Sequence, residues 1–180
     1  AYGVTSTQHD ITRMARVNIL GTINLFNALA TLDTCKRIIL PSSALSYAAK
    51  KTPRKETDSL DPKSAYSVTS ATQEYFARYY ATAFHMPVVI MRSFLTYGPF
   101  GPPERLIGAL MRSLIQKKPI KLSSPKSILD CIYVEDVCEA FMKAATTPHI
   151  EGEIFNIGSG KGYTIKEIIA RAMNISGISI

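Results

Sequence analysis

Two adjacent serines lie where a protein of the right fold would bind a ligand. Ser42 and Ser43 come directly after KRIILP, an apolar segment at residues 36–41 that predicts a buried strand. Ligands of open α/β sheets bind beyond the carboxyl ends of strands, and a serine hydroxyl both donates and accepts hydrogen bonds. Ser42 and Ser43 are therefore candidates for contacting a substrate oxygen, although two serines after a strand also commonly form a turn.

The other residue types that do chemistry stand alone in the sequence. Tyr66 begins a predicted helix and has Glu74 two turns later, but a single tyrosine at a helix start usually only packs. The cysteines lack zinc-binding spacing, so we expect reduced thiols and no metal site. The histidines have no catalytic partner, and we assign them to the surface. These six residues are Cys35, Cys131, Cys138, His9, His85 and His149.

A glycine-rich segment partly matches a phosphate-binding loop. Gly158, Gly160 and Gly162 follow a predicted strand and precede a predicted helix. Dinucleotide-binding loops have the spacing GxGxxG and an acidic residue about 20 positions later. The segment reads GxGxG and has no acidic residue at that distance, so we do not expect it to bind a dinucleotide.

The elements that must position these residues alternate along the chain. Hydrophobic periodicity predicts helices and short apolar strands in turn, and Thr164 with Glu167 forms a capping box that starts a last helix. This alternation predicts an α/β fold with a partial doubly wound parallel sheet of the Rossmann type. Three strands are few for such a sheet, so we expect further strands outside this chain. The helices are predicted over residues 10–32, 66–84, 104–116 and 135–145, the strands over 36–41, 87–93 and 153–157, and a mixed pattern over 127–134.

Six segments in the expected order resemble the extended short-chain dehydrogenase/reductase family, the nicotinamide-dependent epimerases and dehydratases of sugar nucleotides. The likeness covers nearly the whole chain and is far more specific than any single motif. The segments are VNILGT from Val17, IILPSS with Tyr47, SAY from Ser64 with Glu74, Arg92 with YGP from Tyr97, IYVEDV from Ile132, and NIGSG from Asn156.

The resemblance implies a reaction and roles for particular side chains. Tyr66 is the implied base that takes a proton from a sugar hydroxyl, and Ser43 shares the hydrogen bonds of the substrate oxygen. Such a protein is an isomerase or oxidoreductase that uses NAD or NADP. The implied cofactor contacts are Ser42, Tyr66 and Ser93, and the implied contacts of the nucleotide-sugar substrate are Ser43, Thr96 and Tyr97.

The resemblance also implies an assembly and a domain plan. Family members form a dimer through two long helices. These helices correspond here to residues 10–32 and 66–84. Residues 1–100 are the expected C-terminal part of a dinucleotide-binding domain. Residues 101–180 are the expected mixed segment, with part of a smaller substrate-binding region and the last strand–helix unit. The whole is expected to be one incomplete domain.

Several positions depart from the family pattern. The lysine of YxxxK lowers the tyrosine pKa by about 1–3 units from its ordinary value near 10, and Ser70 stands at that position. Leu95 replaces a substrate-binding asparagine, and Leu129 replaces an arginine that grips the nucleotide. Ala44 and Leu45 replace the Asp-Glu pair of dehydratases, which favours an epimerase or reductase over a 4,6-dehydratase.

Two further features of the sequence bear on activity. Tyr47 and Lys51 also have the YxxxK spacing, but they fall in a proline-containing loop and we interpret the match as chance. The family's Gly-rich pyrophosphate loop precedes the matched motifs, and the given sequence begins at Ala1 without it. We therefore expect a fragment or a degenerate member, and we do not expect this chain alone to bind the cofactor.

Composition narrows the class of protein. The 180 residues include 46% hydrophobic and 19% charged residues, which excludes a disordered tail, a collagen-like fibre and a disulfide scaffold. No bilayer-spanning segment or signal peptide is evident, which predicts a cytoplasmic protein with no membrane partner. The net charge of +7 suits phosphate-bearing ligands. The basic cluster Lys50, Lys51, Arg54 and Lys55 is interpreted as a solvated loop, so a nucleic-acid partner is not favoured.

Two functions stay open at the level of sequence. The first is a nicotinamide-dependent nucleotide-sugar epimerase or reductase, present as a fragment or a degenerate enzyme. The second is a non-catalytic binding or scaffold protein on the same fold, with RNA as one partner that the basic charge would suit.

Overall fold

A computed structural model gives the structure over residues 10–32, 34–50, 52–120 and 124–180. These residues divide into two compact units. The first unit contains the described residues up to Phe94 together with Asp136–Ile157, and the second contains those of Leu95–Glu135 together with Gly158–Ile180. His9 and Lys51 lie outside the described residues. The division into residues 1–100 and 101–180 stays a prediction.

A long helical segment opens the first unit. It begins with α1 (Ile11–Met14), continues as a π-helix (Ala15–Leu20) and ends with α2 (Gly21–Leu29). The Asp10 carboxylate accepts a hydrogen bond from the Arg13 N–H at 2.9 Å and so caps the first turn. The predicted helix at residues 10–32 is thus confirmed, with a π-helical insertion that its periodicity did not indicate.

Three parallel strands form the sheet of this unit. They are β1 (Ile38–Ser43), β2 (Val88–Ser93) and β5 (Ile154–Ile157), in the order β1-β2-β5. All three predicted strands are confirmed, but β1 continues beyond Pro41. Ser42 pairs with Arg92 and Ser43 with Ser93, so the two serines are the last residues of the strand instead of following it.

A second long helix, α3 (Ala65–Ala83), packs against the sheet and the first helical segment. Ser64 caps α3, because its hydroxyl accepts a hydrogen bond from the Ser67 N–H at 3.1 Å while the Ser67 hydroxyl accepts from the Ser64 N–H. The rings of Phe26 and Tyr80 stack with their centroids 5.0 Å apart in the buried core. The remaining buried members of this core are Leu40, Ala77, Met86, Val88 and Ile90.

The second unit contains a sheet that the sequence pattern did not predict. Strand β3 (Leu95–Tyr97) pairs in parallel with β4 (Ile128–Tyr133), and β4 pairs in antiparallel with β6 (Gly162–Thr164). Strands β3 and β6 have three residues each, which is too short for a period-two pattern to be recognised.

Two helices form the apolar core of the second unit. Helices α4 (Leu106–Gln116) and α6 (Ile165–Ser176) pack through Leu110, Leu114 and Ile169. The predicted capping box at the start of α6 is confirmed, with the Thr164 hydroxyl accepting from the Glu167 N–H at 3.1 Å. Helix α5 (Val134–Thr146) follows β4, and from Asp136 onward it belongs to the first unit. Within the described ranges, no helix has both the length and the apolar composition needed to cross a bilayer.

Candidate active site at the carboxyl end of the parallel sheet

The predicted catalytic residues lie at the end of one strand and the start of one helix. Ser43 ends β1 and is 8% exposed, and its hydroxyl accepts the Leu45 N–H at 3.2 Å. Tyr66 is the second residue of α3 and is half-buried. The Ser46 hydroxyl donates to the Ser67 carbonyl at 3.3 Å, which connects the segment after Ser43 to the turn that carries Tyr66.

A polar row crosses the sheet one residue before the strand ends. Ser42, Arg92 and Asn156 are direct register partners on the three strands. Successive side chains alternate between the two faces of a sheet, so Ser43 and Ser93 belong to the next row on the other face. The carboxyl end of the sheet therefore carries polar side chains on both faces.

A buried ion pair joins this row to α3. The Arg92 Nε and Nη2 atoms donate to the Glu74 carboxylate at 3.0 and 2.6 Å, and the two residues are 2% and 1% exposed. The Ser42 hydroxyl donates to the other Glu74 oxygen. Burial by itself would lower the pKa of the Arg92 guanidinium, but its hydrogen bonds with Glu74 and Tyr47 outweigh burial and raise it. The guanidinium is therefore charged, and its Nε and Nη2 donors are satisfied by Glu74.

Tyr47 extends the network to β5. Its hydroxyl accepts a hydrogen bond from Arg92 Nη1 at 2.7 Å and donates to the Asn156 Oδ1 atom at 2.7 Å. The Arg92 guanidinium carbon lies 4.7 Å from the centroid of the Tyr47 ring. Burial raises the pKa of Tyr47 even though Arg92 favours the phenolate. Tyr47 is thus suited to structural hydrogen bonding and not to acting as a base.

The position of the family lysine is occupied by a buried serine on α3. Ser70 is 3% exposed on α3. On the residue before it, the Thr69 hydroxyl accepts from Asn18 Nδ2 at 2.9 Å, and one turn later Gln73 Nε2 donates to the Thr22 hydroxyl at 2.7 Å. Thr69 and Gln73 therefore fix α3 against the first helical segment, and Ser70 is uncharged.

The remaining predicted site residues differ in their surroundings. The Ser42 hydroxyl proton is already donated to Glu74, and Ser93 is half-buried at the end of β2. Thr96 and Tyr97 lie on β3 in the second unit, where the Tyr97 ring centroid is 5.6 Å from that of Tyr133. The assignment of these residues to cofactor and substrate stays a prediction.

The glycine-rich loop already has a carboxylate partner. Asp130 accepts hydrogen bonds from the backbone N–H of Ser159 at 2.7 Å and of Gly160 at 2.9 Å, and the Ser159 hydroxyl also donates to it. These N–H groups are the ones that a phosphate would need. The N–H groups of the loop are therefore already occupied by Asp130 of β4.

Sequence reasoning did not identify the network itself, although one signal pointed to it. Arg92 interrupts the strand PVVIMRS, and a charged residue inside a buried strand needs a buried partner. The family motifs include Glu74, Arg92, Tyr47 and Asn156, but they do not indicate that these four side chains contact one another. Among the described residues, no group of three or more histidine, cysteine, aspartate or glutamate side chains could hold a metal ion.

Together, the parallel sheet, the strand-end serine and the helix-start tyrosine define a Rossmann-type α/β protein. The sequence matches the NAD dependent epimerase/dehydratase family over residues 1–158, and the chain belongs to this family. The resemblance drawn from the six motifs is thus confirmed.

Individual relatives have names that agree with the family. The Bacillus subtilis (strain 168) protein named "Uncharacterized UDP-glucose epimerase YtcB" is 28% identical over 152 residues, covering 81% of this chain and 48% of that protein. The UDP-glucuronate 4-epimerase of Thermodesulfobacterium geofontis is 29% identical over 155 residues, covering 84% and 47%. The chain thus spans about half the length of the curated relatives it matches.

Solved structures show the same fold. The crystal structure of the Bacillus cereus UDP-glucuronic acid 4-epimerase, in complex with UDP-glucuronic acid and NAD, has a TM-score of 0.89 and is 29% identical. That match covers 98% of this chain and 57% of the other. The predicted α/β, Rossmann-like fold is confirmed.

Proposed function

We propose that this chain is the substrate-side part of an NAD(P)-dependent nucleotide-sugar epimerase. The observation that carries the proposal is the placement of Ser43 at the end of a parallel strand and Tyr66 in the first turn of α3, linked by the Ser46–Ser67 hydrogen bond. Family membership supports the reaction class. The Ala44 and Leu45 side chains, where dehydratases carry acids, favour an epimerase or reductase over a 4,6-dehydratase.

In the proposed reaction, the two side chains act on one sugar hydroxyl. Tyr66 accepts the hydroxyl proton, and Ser43 shares the hydrogen bonds of the same oxygen. A nicotinamide cofactor, when bound, would supply the acceptor for the hydride on the carbon that bears this oxygen. Thr96 and Tyr97 are the proposed substrate contacts contributed by β3.

The described residues supply only part of a cofactor site. Ser42, Tyr66 and Ser93 are present near the sheet end, but Ser70 provides no cation for the ribose, and the only GxGxG loop in the described residues is closed by Asp130. The described residues therefore do not fit the cofactor's pyrophosphate. We propose that the pyrophosphate is bound by a region that corresponds to the half of the relatives not matched by this chain.

A binding measurement tests the proposal at the level of the substrate. UDP-glucose or UDP-glucuronic acid should give saturation-transfer NMR signals with the chain, and free UDP should compete. Free glucose or glucuronic acid at the same concentration is the control and should give none. Failure of both nucleotide sugars to bind would contradict the proposed function.

We also propose a homodimer through the two long helices. Large apolar side chains on the first helical segment and on α3 are about half exposed or more, which is typical of a surface covered by a partner. They include Val17, Leu20, Leu25, Val68, Tyr75 and Tyr79.

Sedimentation velocity tests the dimer. The sedimenting species is expected to have twice the 19.8 kDa mass of the chain. The variant Tyr79→Glu is expected to be a monomer, because a carboxylate would be buried in an apolar interface. Met142→Glu places the same charge on an exposed residue of α5 and should leave the dimer intact. A monomeric parent chain would refute the assembly.

The substitution at Ser70 favours a second candidate, a non-catalytic nucleotide-sugar-binding protein on the same fold. Because Ser70 is buried and uncharged, the chain lacks the group that makes a tyrosine an effective base at neutral pH. This candidate and the enzyme differ in turnover and not in substrate binding.

A further inference from the structure

Buried side chains hold the segment between β1 and α3 against the sheet. This segment, residues 52–60, is called here the anchored loop. Arg92 Nη1 donates to the Glu56 carbonyl at 2.9 Å, and Asn156 Nδ2 donates to the Arg54 carbonyl at 3.3 Å. The Asn156 backbone N–H donates to the Glu56 carboxylate at 2.9 Å. The loop backbone is thus attached to two different strands of the sheet.

Tyr47 connects these two attachments. Its hydroxyl lies between Arg92 Nη1 and Asn156 Oδ1, each at 2.7 Å, and the residue is 5% exposed. Tyr47 also forms an isolated antiparallel bridge with Leu60 at the far end of the anchored loop. Tyr47 therefore contacts both anchoring side chains through its phenol and one end of the loop through its backbone.

The base of the loop is closed by backbone hydrogen bonds. The Ala48 N–H donates to the Ser59 carbonyl at 3.0 Å, and the Asp61 N–H donates to the Ser46 carbonyl at 2.9 Å. These bonds place the two ends of the loop beside Ser46 and Ala48, which follow Ser43 closely in the chain. The chain then runs from the loop into Ser64, the cap of α3, two residues before Tyr66.

The hydrogen bonds of Arg92 divide between its counter-charge and the loop. The buried guanidinium is neutralised by Glu74 through Nε and Nη2, which satisfies its charge. Among the described residues, its Nη1 group donates to Tyr47 and to the loop carbonyl of Glu56. That group therefore serves the position of the loop.

We propose that Tyr47, Arg92 and Asn156 are positioning residues that clamp the anchored loop at the carboxyl end of the sheet, and that the clamped loop determines affinity for the nucleotide sugar. The loop carries Arg54, whose guanidinium carbon is 5.9 Å from the centroid of the Tyr47 ring, and Lys55. These cations suit a diphosphate. The inference about affinity rests on the function proposed above.

The variant Tyr47→Phe tests the clamp, because it removes one hydroxyl and leaves the Arg92–Glu74 pair in place. Amide hydrogen exchange at Ala48, Asp61 and Asn156 is expected to accelerate at least tenfold, while Ile90 in the centre of β2 stays protected. Binding of UDP-glucose or UDP-glucuronic acid is expected to weaken about tenfold. The matched control is Tyr163→Phe in the second unit, which should change neither measurement.

The outcomes separate the clamp from the proposed function. Unchanged exchange at the loop amides in Tyr47→Phe would overturn the clamp. Faster exchange with unchanged affinity would overturn its effect on binding. If the unsubstituted chain binds neither nucleotide sugar, the proposed function fails and the affinity effect with it, while exchange still decides whether the clamp exists. Arg92→Lys serves as a second variant, because a lysine keeps the charge but cannot bind Glu74, Tyr47 and Glu56 together.

Discussion

Replacing Glu74 by alanine is expected to lower the free energy of unfolding by about 3–5 kcal/mol. The substitution leaves the Arg92 guanidinium buried without its counter-charge, and both residues are almost fully enclosed, with side chains 1% and 3% exposed. It also removes the acceptor of the Ser42 hydroxyl. The free energy of unfolding of a small domain is about 5–15 kcal/mol, so a large share of the stability depends on this pair. Urea unfolding followed by circular dichroism measures the change.

Two comparisons give this prediction its controls. Glu139→Ala removes an exposed carboxylate from α5 that pairs with Lys143 at 2.7 Å, and it should leave the unfolding midpoint almost unchanged. Exposed ion pairs contribute little because solvent screens them. Replacing Glu74 and Arg92 together by methionine should recover much of the lost stability, since no buried charge is left unpaired. Equal midpoints for Glu74→Ala and Glu139→Ala would contradict the importance of the buried pair.

Replacing Ser70 by lysine is expected to raise epimerase turnover by about 10-fold to 1000-fold. Free tyrosine has a pKa near 10, so only about one molecule in a thousand is phenolate at pH 7. A cation four residues away on the same helix face increases that fraction tenfold for each unit by which it lowers the pKa. We expect weak turnover or none before the substitution, because Ser70 brings no charge.

The assay uses a chimera in which this chain replaces the matching part of the Bacillus cereus UDP-glucuronic acid 4-epimerase, which covers 57% of that protein. Conversion of UDP-glucuronic acid to its 4-epimer is followed by NMR. Ser70→Met is the matched control, because methionine has similar length and no charge, and it should give no gain. Adding Tyr66→Phe to the lysine variant should abolish the gain. If turnover stays absent with lysine at position 70 while the nucleotide sugar still binds, the non-catalytic binding protein is the better description.

Local sequence determined most of the secondary structure of the first unit. The apolar strands and the long helices were recognisable because periodicity and capping are properties of neighbouring residues, as with Ser64 and α3. The end of β1 was placed two residues early, because Pro41 looks like the end of a strand. Pairing with β2 continues the strand through Ser42 and Ser43. Only a neighbouring strand, which local sequence does not show, decides that extension.

The motifs of the sequence by themselves determined the family and the α/β fold, and they named Ser43 and Tyr66 as candidate catalytic residues. Only the tertiary structure decided that Glu74, Arg92, Tyr47 and Asn156 form one buried network. These partners are separated by between 18 and 109 residues along the chain. Such contacts depend on which strands pair and which helix packs on them, and burial then requires every polar group to find a partner. Hydrophobic periodicity indicates which face of a helix or strand is buried, but it does not indicate which residue of another element contacts that face.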